Sequence, residues 1–345
     1  MQQIKVDLYS DTQSRPTDGM RQFMVQADVG DEQQGEEPTT NQLIEHVATL
    51  LGKESAVFLP SGTMCNEIAY RVHCEPGDEI ILDKTSHTLH YEVGAPSALA
   101  GAMTACVEGQ NGIFTAEQVR AAIRPISRHM PRSRLLSVEN TANLGGGTIW
   151  PIEQINAVAA VAREHGLSTH LDGARLFNAV VGSGISAKEF ACSYDSVWID
   201  LTKGLGAPVG AVLAGSETFI DRAWRFKHQF GGAMRQSGII AAAGIYALQN
   251  HIDRLAIDHQ NAKLLSKKIS AISNVKLMPE NPESNIVFFG VEETGLSASD
   301  VASRLLDQGV RIGAFSEFVL RAVTYLDVST EDIEFAGEKI QEVLS

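Results

Sequence analysis

Cysteine is scarce in this 345-residue chain. Its four copies, Cys65, Cys74, Cys106 and Cys192, are widely spaced and form no CxxC pair. That argues against a zinc ribbon or a disulfide framework, so no metal site is expected and the thiols read as reduced core residues of a cytoplasmic protein. Long apolar runs are missing as well. The longest, Gly238 to Leu248, is rich in Ala and Gly and too short to cross a bilayer. The opening Met1-Gln-Gln-Ile-Lys-Val-Asp lacks the charged-then-apolar order of a signal peptide. Basic residues are the minority: 28 Lys and Arg against 42 Asp and Glu give a formal charge of −14. Without a dense basic stripe, nucleic acid and anionic membranes are excluded as expected partners, although a local pocket can still hold one phosphate.

Apolar residues make up 44% and charged residues 20%, an ordinary globular mixture. The length suits one large domain and a smaller one. Residues 1–40 are polar and turn-rich and read as an N-terminal arm, 41–250 as a large domain and 251–345 as a small C-terminal α+β domain. From Thr40, Leu43, Val47 and Leu50-Leu51 form a 3.6-period face that stops at Gly52, which predicts a helix. Short apolar runs at 56–59, 79–82, 134–138, 167–171 and 197–201 then alternate with helical stretches. One of these opens on the capping-box pattern Thr115-Ala-Glu-Gln118, another on Pro151. The alternation predicts an α/β fold with a mostly parallel sheet flanked by helices. A long helix is expected from Ile239 to about Ile272, then Ile286-Val-Phe-Phe289 and Arg321-Ala-Val-Thr-Tyr325 as strands of the smaller unit.

The chemistry is carried by three strand ends. The run Asp195 to Leu201 leads into Thr202-Lys203-Gly204-Leu-Gly206. A lysine there is usually just an exposed strand end. A partly desolvated lysine, however, is an amine able to attack an aldehyde, and the glycines would let a flat ring lie against the backbone. Asp172 lies 31 residues upstream, at the end of Ser168-Thr-His-Leu-Asp172, where ligand sites of open α/β sheets gather. As an isolated residue it could be a helix cap. With Lys203 it suits pyridoxal 5'-phosphate, whose pyridine nitrogen needs an anion behind it. Ser61-Gly62-Thr63 joins a strand to a helix, leaving backbone N–H groups and two hydroxyls to receive a phosphate. His87, after the strand near Leu82, is the candidate to stack on a cofactor ring and to move protons.

Several segments together resemble the L-threonine aldolase family, the β-eliminating lyase group of fold-type-I pyridoxal-phosphate enzymes. They are Ser10-Asp11-Thr12, Pro60-Ser-Gly-Thr-Met64, Glu139-Asn140-Thr141, Leu171-Asp-Gly-Ala-Arg-Leu-Phe-Asn178, Lys203-Gly-Leu-Gly-Ala-Pro-Val-Gly210 and Met234-Arg-Gln236. The resemblance runs from about Asp7 to the C-terminus and implies an aminotransferase-like domain with a seven-stranded sheet. It implies Lys203 as the Schiff-base lysine, Asp172 as partner of the ring nitrogen and His87 as the stacking residue. It further implies Ser61, Gly62 and Thr63 at the phosphate, and Ser10, Arg175 and Arg321 at the substrate carboxylate. Arg235 would reach a neighbouring subunit's phosphate, so a homodimer or homotetramer with shared active sites is expected.

The implied reaction is cleavage of an L-β-hydroxy-α-amino acid, of the threonine, allo-threonine or phenylserine type, to glycine and an aldehyde. A β-eliminating lyase, racemase or aminotransferase acting on another amino acid is an alternative, and a non-catalytic amino-acid-binding protein is a third. The chain departs from the family pattern at Tyr9, Gln34, Ala142, His228 and Tyr325. Ala142 stands where the family carries a histidine near the β-hydroxyl. That leaves His87, His90, a cofactor phosphate oxygen acting through water or a newly placed group as candidate bases. It predicts a space filled by water, another side chain or a larger substrate, with threonine a poor substrate and a bulkier or more polar β-substituent preferred.

Overall fold

The computed structural model describes residues 4–345. Seven strands form the central sheet in the order Ser55–Leu59, Ala211–Gly215, Ser196–Asp200, Ser168–Gly173, Ser133–Glu139, Glu79–Asp83, Met103–Val107. All neighbours run parallel except Ala211–Gly215, which is antiparallel to both strands beside it. Apart from the partly exposed edge strand Met103–Val107, the strands are buried on both faces, as sheets covered by helices require. One face packs Leu43, Val138, Leu171 and Ile199 with neighbouring helices; the other packs Val57, Ile68, Trp198 and Leu213. The predicted α/β class and mostly parallel sheet are what the structure has.

Local signals explain most of the boundaries. Helix Pro38–Leu51 begins with Pro in its first turn and ends on Gly52 in the left-handed region. Thr115 and Gln118 form the predicted capping box before helix Ala116–Ala122. Two strands of this sheet were not anticipated. Met103–Val107 is an edge strand of mixed polarity, and Ala211–Gly215 is an Ala- and Gly-rich run, so neither shows strand periodicity.

The predicted helix from Ile239 to Ile272 is instead two helices, Gly238–Asn250 and Leu255–Ser270, separated by a turn at 251–254. At the break, His251 Nδ1 donates to the carbonyl of Leu205, and Arg254 forks onto Asp258. These polar anchors turn the chain where apolar periodicity alone runs on. A second core gathers Leu265, Phe289, Val301, Leu320 and Ile340 over a four-stranded antiparallel sheet. Val6 and Leu8 belong to this core too, because Val6–Asp7 pairs in parallel with Val310–Arg311. The first strand is therefore packed rather than a free arm.

The carboxyl ends of Ser133–Glu139, Ser168–Gly173 and Ser196–Asp200 open on one side of the sheet, and the segments that follow them line a single cleft. That is where open α/β sheets bind ligands.

Candidate active site

A cleft of about 400 Å³ is lined by Thr12, Ser14, Ser61, Gly62, Thr63, His87, Glu92, Glu139, Asn143, Asp172, Arg175, Trp198, Asp200 and Lys203, among others. Seven of the sequence-predicted residues thus meet in one place although they span positions 61 to 203. Lys203 follows strand Ser196–Asp200. Its Nζ donates to Asp200 Oδ2 at 2.6 Å, and Asp200 is held in turn by the N–H and hydroxyl of Thr202, both 2.7 Å from Oδ1. The expected role of Gly204 and Gly206 is not what the structure shows. A methyl on Gly204 would meet Leu255 and one on Gly206 would meet Leu326, so both serve close packing away from the cleft.

Asp172 is 3% exposed and has no cationic partner among the described residues. Asn66 Nδ2 donates to its Oδ2 at 2.9 Å and the Ala174 N–H to its Oδ1 at 3.0 Å. Burial, and then the nearby Glu139 charge, push this carboxyl well above the usual range, while the Asn66 hydrogen bond and His87 oppose them. A buried carboxyl at a cleft wall with two donors and no counter-charge fits the protonated nitrogen of a pyridine ring. Asn66 is itself fixed: its Oδ1 accepts from Trp198 Nε1 at 2.7 Å and lies 3.1 Å from His170 Nε2.

Ser61 caps helix Gly62–His73, its hydroxyl accepting from the Met64 N–H at 3.2 Å. The first N–H groups of a helix lack intrahelical acceptors, so this twelve-residue helix presents donors to the cleft. A Cβ on Gly62 would lie 2.2 Å from the Trp198 ring, which is why only glycine fits there. Lys203, Asp172 and this helix start together fit pyridoxal phosphate at its aldehyde, ring nitrogen and phosphate.

His87 opens the short helix His87–His90, and its side chain is 36% exposed. Its backbone N–H donates to Glu139 Oε2 at 2.8 Å, and its Nδ1 lies 2.9 Å from Glu92 Oε1. Burial lowers its pKa, but the Glu92 hydrogen bond and the charges of Asp172 and Glu139 outweigh that and raise it. Because Glu92 accepts at Nδ1, the neutral ring carries its lone pair on Nε2. His90 is bonded through Nε2 to the Lys84 carbonyl and does not line the cleft.

Arg175 is buried in a two-pronged ion pair, Nε and Nη2 each 2.7 Å from the Asp11 carboxylate. Burial alone would raise the Asp11 pKa, but the Arg175 charge and hydrogen bonds bring it down to about 2. A depressed folded-state pKa stabilises the protein above the unfolded value near 4 and loses that stabilisation as pH falls through about 2. Asp11→Asn should therefore cost roughly 3–5 kcal/mol, because it strands a buried guanidinium. Urea melts at neutral pH check this, and the difference from wild type should shrink in acid.

Arg321 is adjacent rather than in the lining. Its Nη1 donates to Asn143 Oδ1 at 2.9 Å and its Nη2 to the Tyr9 carbonyl at 3.3 Å, while its buried Nε meets no acceptor. Burial and the charge of Arg175 lower its pKa to about 10. Two buried guanidiniums, one with an unused donor, call for an anion. Ser10 is nine-tenths buried and caps the turn Asp11–Gln13 through Thr12, outside the cleft lining. Arg235 is also outside it: its side chain is 59% exposed and pairs with Asp31.

The space expected at Ala142 is taken up by the protein itself. The residue is 4% exposed and absent from the cleft lining, and its methyl packs under the turn at Gly112 and against Gly145. Ala142→His should therefore crowd that turn and destabilise the fold by about 1–3 kcal/mol, visible in thermal melts, without improving turnover of threonine.

The sequence reading gave no role to Asp200, Asn66, Glu92 or Glu139, although Glu139 stands in one of the motifs that carry the resemblance. Asp200 was legible as an acid three residues before the lysine, at the end of the same strand; the others come from segments that only the fold brings together.

The family model for beta-eliminating lyases matches residues 7–293. The chain belongs to this family. It is 40% identical over 329 residues to the low specificity L-threonine aldolase of Escherichia coli (strain K12), covering 95% of this chain and 96% of that one. It is 37% identical over 344 residues to low-specificity L-threonine aldolase 1 of Arabidopsis thaliana, covering 98% and 96%. The solved Leishmania major threonine aldolase superposes with a TM-score of 0.85 at 20% identity over 99% of this chain and all of that one. A Thermus thermophilus aspartate aminotransferase superposes at 0.76, with 16% identity and coverages of 99% and 92%. Both structures place the chain in the aminotransferase-like fold.

Proposed function

We propose that this family member is a pyridoxal-phosphate-dependent aldolase that cleaves an L-β-hydroxy-α-amino acid to glycine and an aldehyde. The observation that carries the reading is the convergence of Lys203, the uncompensated buried Asp172 and the Gly62–Thr63 helix start on one cleft. When bound there, pyridoxal phosphate supplies an aldehyde for amines and a protonated ring that draws electrons from the bond being broken. Lys203 would hold it, Asp172 would keep the ring nitrogen protonated, and Ser61, Gly62 and Thr63 would bind the phosphate. The 2.6 Å contact of Lys203 with Asp200 gives its ammonium a resting partner when it is displaced.

Arg175 and Arg321 are the pair for the amino-acid carboxylate. Asp11 already occupies two nitrogens of Arg175, so its Nη1 remains for the substrate, and the buried Nε of Arg321 is a further donor without an acceptor. Ser10 supports this from behind, by capping the turn that carries Asp11. Arg321→Leu should cost roughly 2–5 kcal/mol in kcat/KM while leaving cofactor loading largely intact. Steady-state kinetics with the visible spectrum as control check this. His87 is the one imidazole in the cleft lining and is the base assigned to the β-hydroxyl proton, through Nε2.

Arg235 is assigned to the phosphate of a neighbouring subunit in a homodimer or homotetramer. Its exposure and its distance from its own cleft's lining support that. A cytoplasmic location is assigned on the four unpaired cysteines, of which Cys65 and Cys74 are buried as expected whereas Cys106 and Cys192 are exposed rather than core residues. Incubation with L-threonine, L-allo-threonine and L-phenylserine tests the reaction. Equimolar glycine and aldehyde are expected; ammonia with a keto acid, or a racemised amino acid, would replace the aldolase with another reaction of the family.

A further inference from the structure

Two buried glutamates stand behind His87, and the reaction as described gives neither a task. Glu67 lies on helix Gly62–His73 and is 1% exposed; Glu92 follows helix His87–His90 and is 3% exposed. We propose that these two carboxyls hold a single proton between them, and that the pair is a positioning device fixing the orientation and charge of His87. The proposal rests on the reading of His87 as a cleft residue with an open Nε2.

The hydrogen-bond inventory carries it. Glu92 Oε1 accepts from Asn66 Nδ2 at 3.0 Å and contacts His87 Nδ1 at 2.9 Å. Glu92 Oε2 and both oxygens of Glu67 meet no donor when each group is treated as a carboxylate. Three buried acceptors without donors are costly, and no Lys or Arg among the described residues pairs with either acid. One proton relieves most of the deficit: a protonated Glu67 donates to Glu92, which engages two of the three oxygens. Glu67 is the member that keeps it, because Glu92 already receives two donors that favour its anion. Burial, then the charge and hydrogen bond of Glu92, push Glu67 well above the carboxylate range.

The remaining polar neighbours are Asp172 and Glu139 on the sheet side and Cys65 and Tyr70 on the helix side. Cys65 and Tyr70 are both buried and both held protonated by that burial, and the Tyr70 hydroxyl is engaged with Ser137 at 3.0 Å. Asp172 is tied to the same unit, since Asn66 Nδ2 donates to it as well as to Glu92. A Glu92 anion fixes His87 with its proton on Nδ1. A second anion at Glu67 would raise the charge of the cluster and draw another proton to the imidazole.

The test is a pH titration of His87 in ¹³C-histidine-labelled holoenzyme by NMR, alongside the pH profile of kcat/KM, for wild type, Glu67→Gln and Glu92→Gln. Wild type should show a main His87 inflection and a smaller alkaline one as the pair loses its proton. Glu67→Gln, which keeps a donor but cannot ionise, should lose only the alkaline step. Glu92→Gln should lower the main inflection by about one pH unit or more, because the anion beside the imidazole is gone. Difference infrared spectra give an independent reading should Glu92→Gln not fold: a protonated-carboxyl band present at neutral pH in wild type and missing in Glu67→Gln. A wild type without the alkaline step, a Glu67→Gln protein that retains it, or a carboxyl band unchanged by that substitution overturns the proposal. NMR shifts as expected, with the acid limb of kcat/KM unmoved, uphold the pair and remove His87 as the base.

Discussion

Lys203→Ala should abolish turnover and the visible absorption of the bound cofactor while leaving the fold intact. The side chain is 15% exposed, its one hydrogen bond goes to Asp200 and its ammonium lies 5.7 Å from the Trp198 ring centroid, so its removal gives up little core packing and opens space into an existing cleft. The loss follows from chemistry rather than stability: Lys203 is the amine assigned to the cofactor aldehyde, and no other lysine lines the cleft. Circular dichroism serves as the folding control. Residual colour that is stable to gel filtration, with normal glycine release, would remove Lys203 from its role.

Asp172→Asn should cost several orders of magnitude in kcat with little change in stability. Asp172 is a buried acid whose carboxylate has two hydrogen bonds and no cation. An amide of the same shape keeps the acceptor for Ala174 but cannot favour a protonated ring nitrogen. Stability should change little, because removing an unpaired buried charge beside Glu139 offsets the new amide nitrogen facing the Asn66 Nδ2 donor. The visible band of the holoenzyme should shift along with the loss of rate. Near-normal turnover in this variant would show that the electron-drawing role belongs to another group.

How much of this was legible from sequence differs by element. Strand ends that carry a polar residue after an apolar run, such as Asp172 and Lys203, are readable because burial on both faces forces a continuous apolar pattern that stops where the ligand begins. The helix start at Ser61 was readable through its cap. Ala211–Gly215 was not, since small residues pack a sheet interior without β-branched or aromatic signal. The break at residues 251–254 was hidden because helix periodicity continues across it, and only the contacts of His251 with Leu205 and of Arg254 with Asp258 reveal the turn.

Ala142 shows the opposite failure. A residue read as bordering the substrate turns its methyl toward Gly112 instead, a contact across 30 residues of chain that no local pattern encodes. Asn66 was passed over for the same reason. Its four contacts join a helix to the segments around Glu92, His170, Asp172 and Trp198, and its importance exists only once those are assembled.

Borohydride reduction of the holoenzyme followed by peptide mapping tests the central assignment most directly. Reduction should fix the cofactor on the peptide containing Thr202-Lys203-Gly204, with one equivalent per chain. Labelling of any other lysine would contradict the site described here.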